Sequence, residues 1–142
     1  MQVKKLQLRR SMKLSSKAHY GLNACCVLAG MYPEKASARE LEEALGVSGK
    51  YLEQMMRLLA SRGIVRAQRG AAGGYSLARE PAAVSVGAVV RALEDDMEFI
   101  HCAAKASPCK KCLSAAVWQK LYREINRVLD EMTLSDMLKG EI

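Results

Sequence analysis

The sequence predicts a mainly α-helical protein with one small β-hairpin. Three observations predict it. Apolar residues recur at helical spacing in successive stretches from Ser15 to Met132. Several of those stretches open on a serine placed to cap a first turn. The clearest β character lies in two short runs, Ile64–Gln68 and Tyr75–Leu77, which flank the glycine-rich Arg69–Gly74.

Bulk properties narrow the class. The chain has 142 residues, 50% hydrophobic and 26% charged, a globular rather than disordered composition. Its longest apolar run, Ala24–Met31, falls far short of the ~18 residues that span a bilayer, so no membrane partner is expected. The basic start (Lys4, Lys5, Arg9, Arg10) has no apolar signal core behind it, and a cytoplasmic protein is expected. Residues 1–80 carry 14 basic against 6 acidic side chains, and residues 81–142 carry 8 against 9. A basic front half points to a polyanion, nucleic acid being the usual one.

Residues 1–11 lack periodicity and read as a basic arm, with Met12 an alternative start. From Ser15, the residues Ala18, Leu22, Cys25, Cys26 and Ala29 share a helical face, which makes both cysteines core residues. Gly30 and Pro33 close this helix. Ser37 and Glu40 form a capping box, opening a helix with Leu41, Ala44 and Leu45 inward. Gly46-Val47 breaks it. Ser48 caps the next helix, which runs to about Arg62 and buries Leu52, Met55, Met56 and Leu59. Two short helices joined by a tight glycine turn make a helix-turn-helix. The second helix shows Lys50, Tyr51, Glu53, Gln54 and Arg57 on its other face, hydrogen-bonding side chains suited to a major groove.

The hairpin that follows makes the motif a winged helix-turn-helix, with Arg69 at the wing tip placed to enter a minor groove. A glycine-rich nucleotide loop is excluded, because no helix N-terminus or Lys-Ser/Thr pair follows the glycines. Ser85 caps a helix through about Asp95, with Val86, Val89, Val90 and Leu93 inward. From Ser114 to about Met132, Trp118, Leu121, Tyr122, Ile125, Val128, Leu129 and Met132 form a wide apolar stripe. A long C-terminal dimerisation helix accounts for it most simply.

Between these helices, His101–Cys112 holds Cys102, Cys109 and Cys112 within eleven residues. Five cysteines in a reducing compartment favour a metal or free thiols over disulfides. Three readings follow: a metal sensor, a zinc site on the Cys109-x-x-Cys112 knuckle, or a thiol enzyme using that pair. The enzyme reading lacks the βαβ pattern in which such pairs work. Structural zinc would need a second knuckle. The expected boundaries are 1–11 (arm), 12–95 (winged helix-turn-helix), 96–113 (cysteine sensor loop) and 114–138 (dimerisation helix and tail).

From Met12 to about Leu138 the chain closely resembles the Rrf2 family of winged-helix regulators. The resemblance rests on Met12-Lys13-Leu14-Ser15 with Tyr20-Gly21-Leu22, on Tyr51-Leu52-Glu53-Gln54, and on Arg69-Gly70 with Gly73-Gly74-Tyr75. It continues through Arg91-Ala92-Leu93-Glu94 and the cysteine triplet followed by Trp118. It implies a homodimeric repressor with crossed long helices that binds a double-stranded operator. Carried over by motif, Ser48, Lys50, Tyr51, Glu53, Gln54 and Arg69 would contact DNA, joined by Arg57 and Tyr75. It also implies that Cys102, Cys109 and Cys112 ligate an iron–sulfur cluster, [2Fe–2S] or [4Fe–4S]. The alternative keeps the dimer with a zinc or thiol-redox site.

The chain departs from the family pattern in places. Ala71 and Ala72 stand where the wing usually has Pro-Gly. The cysteine spacing is C-x6-C-x2-C, and Ala115 replaces a histidine ligand. Asp96, Glu98 and His101 are nearby candidates for the fourth ligand. In a nitric-oxide-sensing branch, an Asp before the tyrosine of the first helix ligates from the partner subunit, and His19 stands at that position here.

Overall fold

The computed structural model describes residues 15–94 and 113–142. The arm, Met12, Asp95, Asp96, Glu98, His101 and the three loop cysteines lie outside the described residues.

Helix α1 spans Ser16–Met31, and the Ser15 hydroxyl accepts from Ala18 N. Ala18, Ala24, Cys25, Leu28 and Ala29 are buried. Cys26 is only half-buried, a departure from the expected core position, because neighbouring helical residues lie about 100° apart. Helix α2 (Ala38–Leu45) opens on the expected capping box: Ser37 accepts from Glu40 N, and the Glu40 carboxylate accepts from Ser37 N. Those bonds hold the Glu40 carboxyl below its ordinary pKa. Leu41 is buried, Leu45 half-buried and Ala44 exposed, so α2 presents a narrower apolar face than expected. Gly46 turns the chain at φ 65, the left-handed conformation that glycine adopts freely. Ser48 caps α3 (Gly49–Ser61), accepting from Tyr51 N, and α3 buries Leu52, Met55, Met56 and Leu59. The methionines are core residues, as expected.

Strands β1 (Val65–Gln68) and β2 (Gly74–Leu77) pair antiparallel, Val65 opposite Leu77 and Gln68 opposite Gly74. The segment between α1 and α2 joins them: Ala36 N donates to Tyr75 O (2.9 Å) and Tyr75 N to Ala36 O (2.8 Å). A Cβ on Gly74 would lie 2.4 Å from Ala36 O, so this approach requires glycine. A short 3-10 turn at Pro81–Ala83 leads to α4 (Val86–Leu93), capped by Ser85 and burying Val86, Val89, Val90 and Leu93.

Helix α5 spans Ala115–Glu131. The expected tail is more than a tail. Thr133 and Asp136 form a second capping box and open α6 (Leu134–Lys139), whose Leu134 is fully buried in the core. Val86 N donates to Met132 O and Leu134 N to Val84 O, stitching this segment to the start of α4.

One core joins α1, α2, α3, the wing, α4 and Leu134. A smaller cluster of Ala18, Val86 and Val90 receives Leu129 and Met132 from the end of α5. Helices α1 and α4 touch closely: a Cβ on Gly21 would lie 2.2 Å from Leu93 Cδ1. Arg91 donates to Asn126 Oδ1 (2.9 Å) and pairs with Asp130, which fastens α4 to α5.

Candidate nucleic-acid interface and the root of the cysteine loop

Capping fixes where α3 begins, and the Leu52–Leu59 stripe fixes which face is buried. The opposite face is therefore determined by helical phase, and it exposes Lys50, Glu53, Gln54 and Arg57. Between α3 and the wing lies a cleft of about 830 Å³. Glu53, Arg57, Arg69 and Tyr75 line it, joined by Arg39 and Gln68. Four of the sequence-derived site residues thus meet in one place. Lys50 and Gln54, one turn apart, sit outside that cleft. Ser48 serves α3 as its N-cap.

Tyr51 also has a structural role. It is half-buried, its ring stands edge-on to Tyr20, and its hydroxyl donates to Ser16 Oγ at 3.4 Å. It joins α3 to the first turn of α1. Arg57 pairs with Glu53 at 3.2 Å, with both side chains largely exposed. Such a pair contributes only about 0–1 kcal/mol, so a phosphate can readily compete for the guanidinium. Burial raises the Tyr75 phenol pKa above its ordinary value, and the negative Glu53 adds to it. Tyr75 is therefore a neutral hydroxyl at the cleft wall. Glu53 is an acceptor suited to a cytosine amino group and repels phosphate.

Sequence reasoning missed Arg39 and Lys35. Arg39 lines the cleft and pairs with Glu43 at 3.0 Å. Lys35 donates to Gln68 Oε1 at 3.0 Å and to Ala72 O on the wing. No local signal marks either one. Both depend on the pairing of Ala36 with the wing, a tertiary contact.

The root of the cysteine loop is visible on both sides. Glu94 Oε1 accepts from Ser15 N (2.7 Å) and from the Ser15 hydroxyl. On the return side, Trp118 Nε1 donates to Ser114 Oγ at 3.0 Å. His19 is exposed on α1, one turn after Ser15. Burial pushes the Cys25 thiol up to about 12, with Cys26 adding to the shift, so Cys25 is an inert core thiol. Among the described residues no three His, Cys, Asp or Glu side chains cluster as metal ligands. No helix among them is long and apolar enough to cross a membrane.

A helix-turn-helix whose reading face is flanked by a basic hairpin defines a winged-helix transcription regulator. Residues 14–140 match the model of the family described as "Rrf2: Iron-dependent Transcriptional regulator", and the chain belongs to that family. It is 35% identical over 129 residues to a putative HTH-type transcriptional regulator of Synechocystis, covering 89% of this chain and 87% of the relative. The solved structure of T. potens IscR is 37% identical, with a TM-score of 0.73, covering 92% of this chain and 88% of that one. The structure of CymR, the global cysteine regulator of B. subtilis, is 30% identical, with a TM-score of 0.74 and coverage of 90% and 97%. These relatives are transcription regulators, not enzymes.

Proposed function

We propose that this regulator is a homodimeric repressor that reads a duplex operator with α3 and the wing. In this reading an iron–sulfur cluster in the cysteine loop sets its DNA affinity. The observation that carries the DNA half is the cleft that gathers Arg39, Glu53, Arg57, Arg69 and Tyr75 between reading helix and wing. Lys50 and Gln54, exposed on the same helix, would meet base edges, and Ser48 and Tyr51, which also hold the helix end, would contact the DNA with them.

The dimer half rests on α5. Its apolar stripe divides in two. Leu129 and Met132 pack on α4, whereas Val117 (61% exposed), Leu121 (38%) and Val128 (46%) face outward at spacings of four and seven residues. A second copy of α5 would cover them.

The cluster half rests on the donor set and on where the loop is rooted. Cys102, Cys109 and Cys112 supply three thiolates, the soft ligands that hold iron–sulfur centres. His19, contributed across the dimer, is the proposed fourth ligand. It is exposed on α1, where the loop of a second copy could reach it. When bound, such a cluster would supply an oxidisable, labile centre.

A second reading keeps the dimer with zinc or free thiols on Cys109 and Cys112. The likeness to CymR supports it. Anaerobic purification with a visible spectrum and iron and sulfide counts separates the two. Brown protein with both elements supports the cluster, and colourless protein removes it. If His19 is the fourth ligand, His19→Ala keeps the dimer and alters the cluster's spectrum or lifetime. An unaltered spectrum and lifetime would return the role to His101, Asp96 or Glu98.

A further inference from the structure

The tip of the wing has little of its own to hold it. Gly70-Ala71-Ala72-Gly73 carries no side chain longer than a methyl group, and Gly70 sits at φ 103. The turn closes on one internal backbone bond, Gly73 N to Gly70 O at 2.9 Å. A segment this small and glycine-rich has many conformations to lose when it is ordered. Yet Arg69 stands at its entrance. An arginine that reads a groove edge gains most when its backbone is already placed.

The support comes from outside the hairpin. Ala36 pairs with Tyr75 through two backbone hydrogen bonds, which bring the preceding residue, Lys35, alongside the wing. The Lys35 ammonium then donates to two acceptors of the hairpin, one before the turn and one within it. One is Gln68 Oε1, at 3.0 Å, on the residue that ends β1. The other is the backbone carbonyl of Ala72, inside the turn. Arg69 lies between these two anchor points in sequence.

We propose that Lys35 is a positioning residue for DNA recognition: it clamps the wing tip so that Arg69 meets the duplex already placed. It acts through Arg69 rather than by touching DNA. This rests on the reading that the wing engages DNA. The clamp also accounts for how a wing with two alanines in its turn can present a fixed arginine. Proline in the second position of such a turn would stiffen it from within. Here the stiffening comes from a neighbouring loop.

The test is a double-mutant cycle on Lys35→Met and Arg69→Ala. Lys35→Met keeps the apolar stem and loses the donors, and its exposed position leaves the fold intact. The probe is a duplex selected from a random library by the unaltered full chain. Lys35→Met is expected to weaken binding roughly fivefold, and Arg69→Ala roughly tenfold or more. The double variant is expected to bind no more weakly than Arg69→Ala alone. Adding Ala71→Pro to Lys35→Met is expected to recover affinity. Amide exchange in the single variant should quicken at Gly70–Gly73 while the α3 core stays protected. Losses that multiply would overturn the proposal and make Lys35 a direct phosphate contact. If Arg69→Ala binds as tightly as the unaltered chain, the wing reading itself fails and takes the clamp with it.

Discussion

One oxygen of Glu94 accepts both the backbone N–H and the hydroxyl of Ser15, 79 residues earlier in the chain. Ser15 opens α1, and Glu94 is the last described residue before the cysteine loop. The same first turn of α1 meets α3 through Ser16 and Tyr51. The loop's root and α3 are therefore joined by one contiguous set of contacts.

Glu94→Ala removes a charged acceptor from a partly buried helix start. It is expected to cost about 1–2 kcal/mol of stability, read as a lower denaturant midpoint at unchanged slope. Glu94→Gln should lose less, since an amide oxygen can still accept. A midpoint that does not move in Glu94→Ala would make the contact incidental.

The α6 capping box gives a pH signature. Hydrogen bonds from Thr133 hold the Asp136 carboxyl below its ordinary pKa, with Lys139 adding a smaller effect. A depressed folded-state pKa means stability present above the unfolded value and lost as pH falls through the folded one. Acid should therefore loosen α6, and Thr133→Ala, which removes the hydroxyl bond and keeps the backbone one, should reduce that part of the pH dependence. The readout is amide exchange across Leu134–Lys139 at several pH values. An identical acid response in Thr133→Ala would contradict it.

The uncovered face of α5 sets the dimer test. Val128→Glu places a carboxylate on a side chain already exposed in one chain, so the fold should survive while the pairing fails. Sedimentation should report monomers. A persisting dimer would move the seam elsewhere.

Gln54 is exposed on α3, outside the cleft, where an amide can pair with an adenine edge. Gln54→Ala is expected to relax base preference by about 1–3 kcal/mol at one position, while non-specific affinity holds. A loss of affinity that is uniform across sequences would make Gln54 a positioning residue.

Much of this architecture can be read locally. Ser37–Glu40 and Ser48 announce their helices, the Leu52–Leu59 stripe sets the face of α3, and two β runs around glycines make the wing. These are signals within a few residues, where capping and periodicity act. The α6 helix was legible in the same way from Thr133 and Asp136. A six-residue helix is too short to show a helical period and is easily taken for a tail. Arg39 and Lys35 were not legible, because their roles depend on Ala36 pairing with Tyr75, about forty residues away. Cys26 and Ala44 misled because they stand at the edge of their apolar stripes, lining an open groove between α1 and α2 rather than the core. The motif marks Tyr51 for DNA contact, whereas its edge-on packing against Tyr20 and its bond to Ser16 were not legible, because both are contacts between α3 and α1.

In the proposed function the cysteine loop, loaded with a cluster, sets how tightly the dimer holds DNA. The most direct measurement follows binding to a selected duplex by anaerobically purified protein, before and after the cluster is removed. Visible absorption and iron counts are taken on the same samples at fixed salt. The account predicts brown protein whose affinity changes at least roughly tenfold on cluster loss, a coupling of about 1.4 kcal/mol, while the dimer persists. Colourless protein, or equal affinity with and without the cluster, would contradict it.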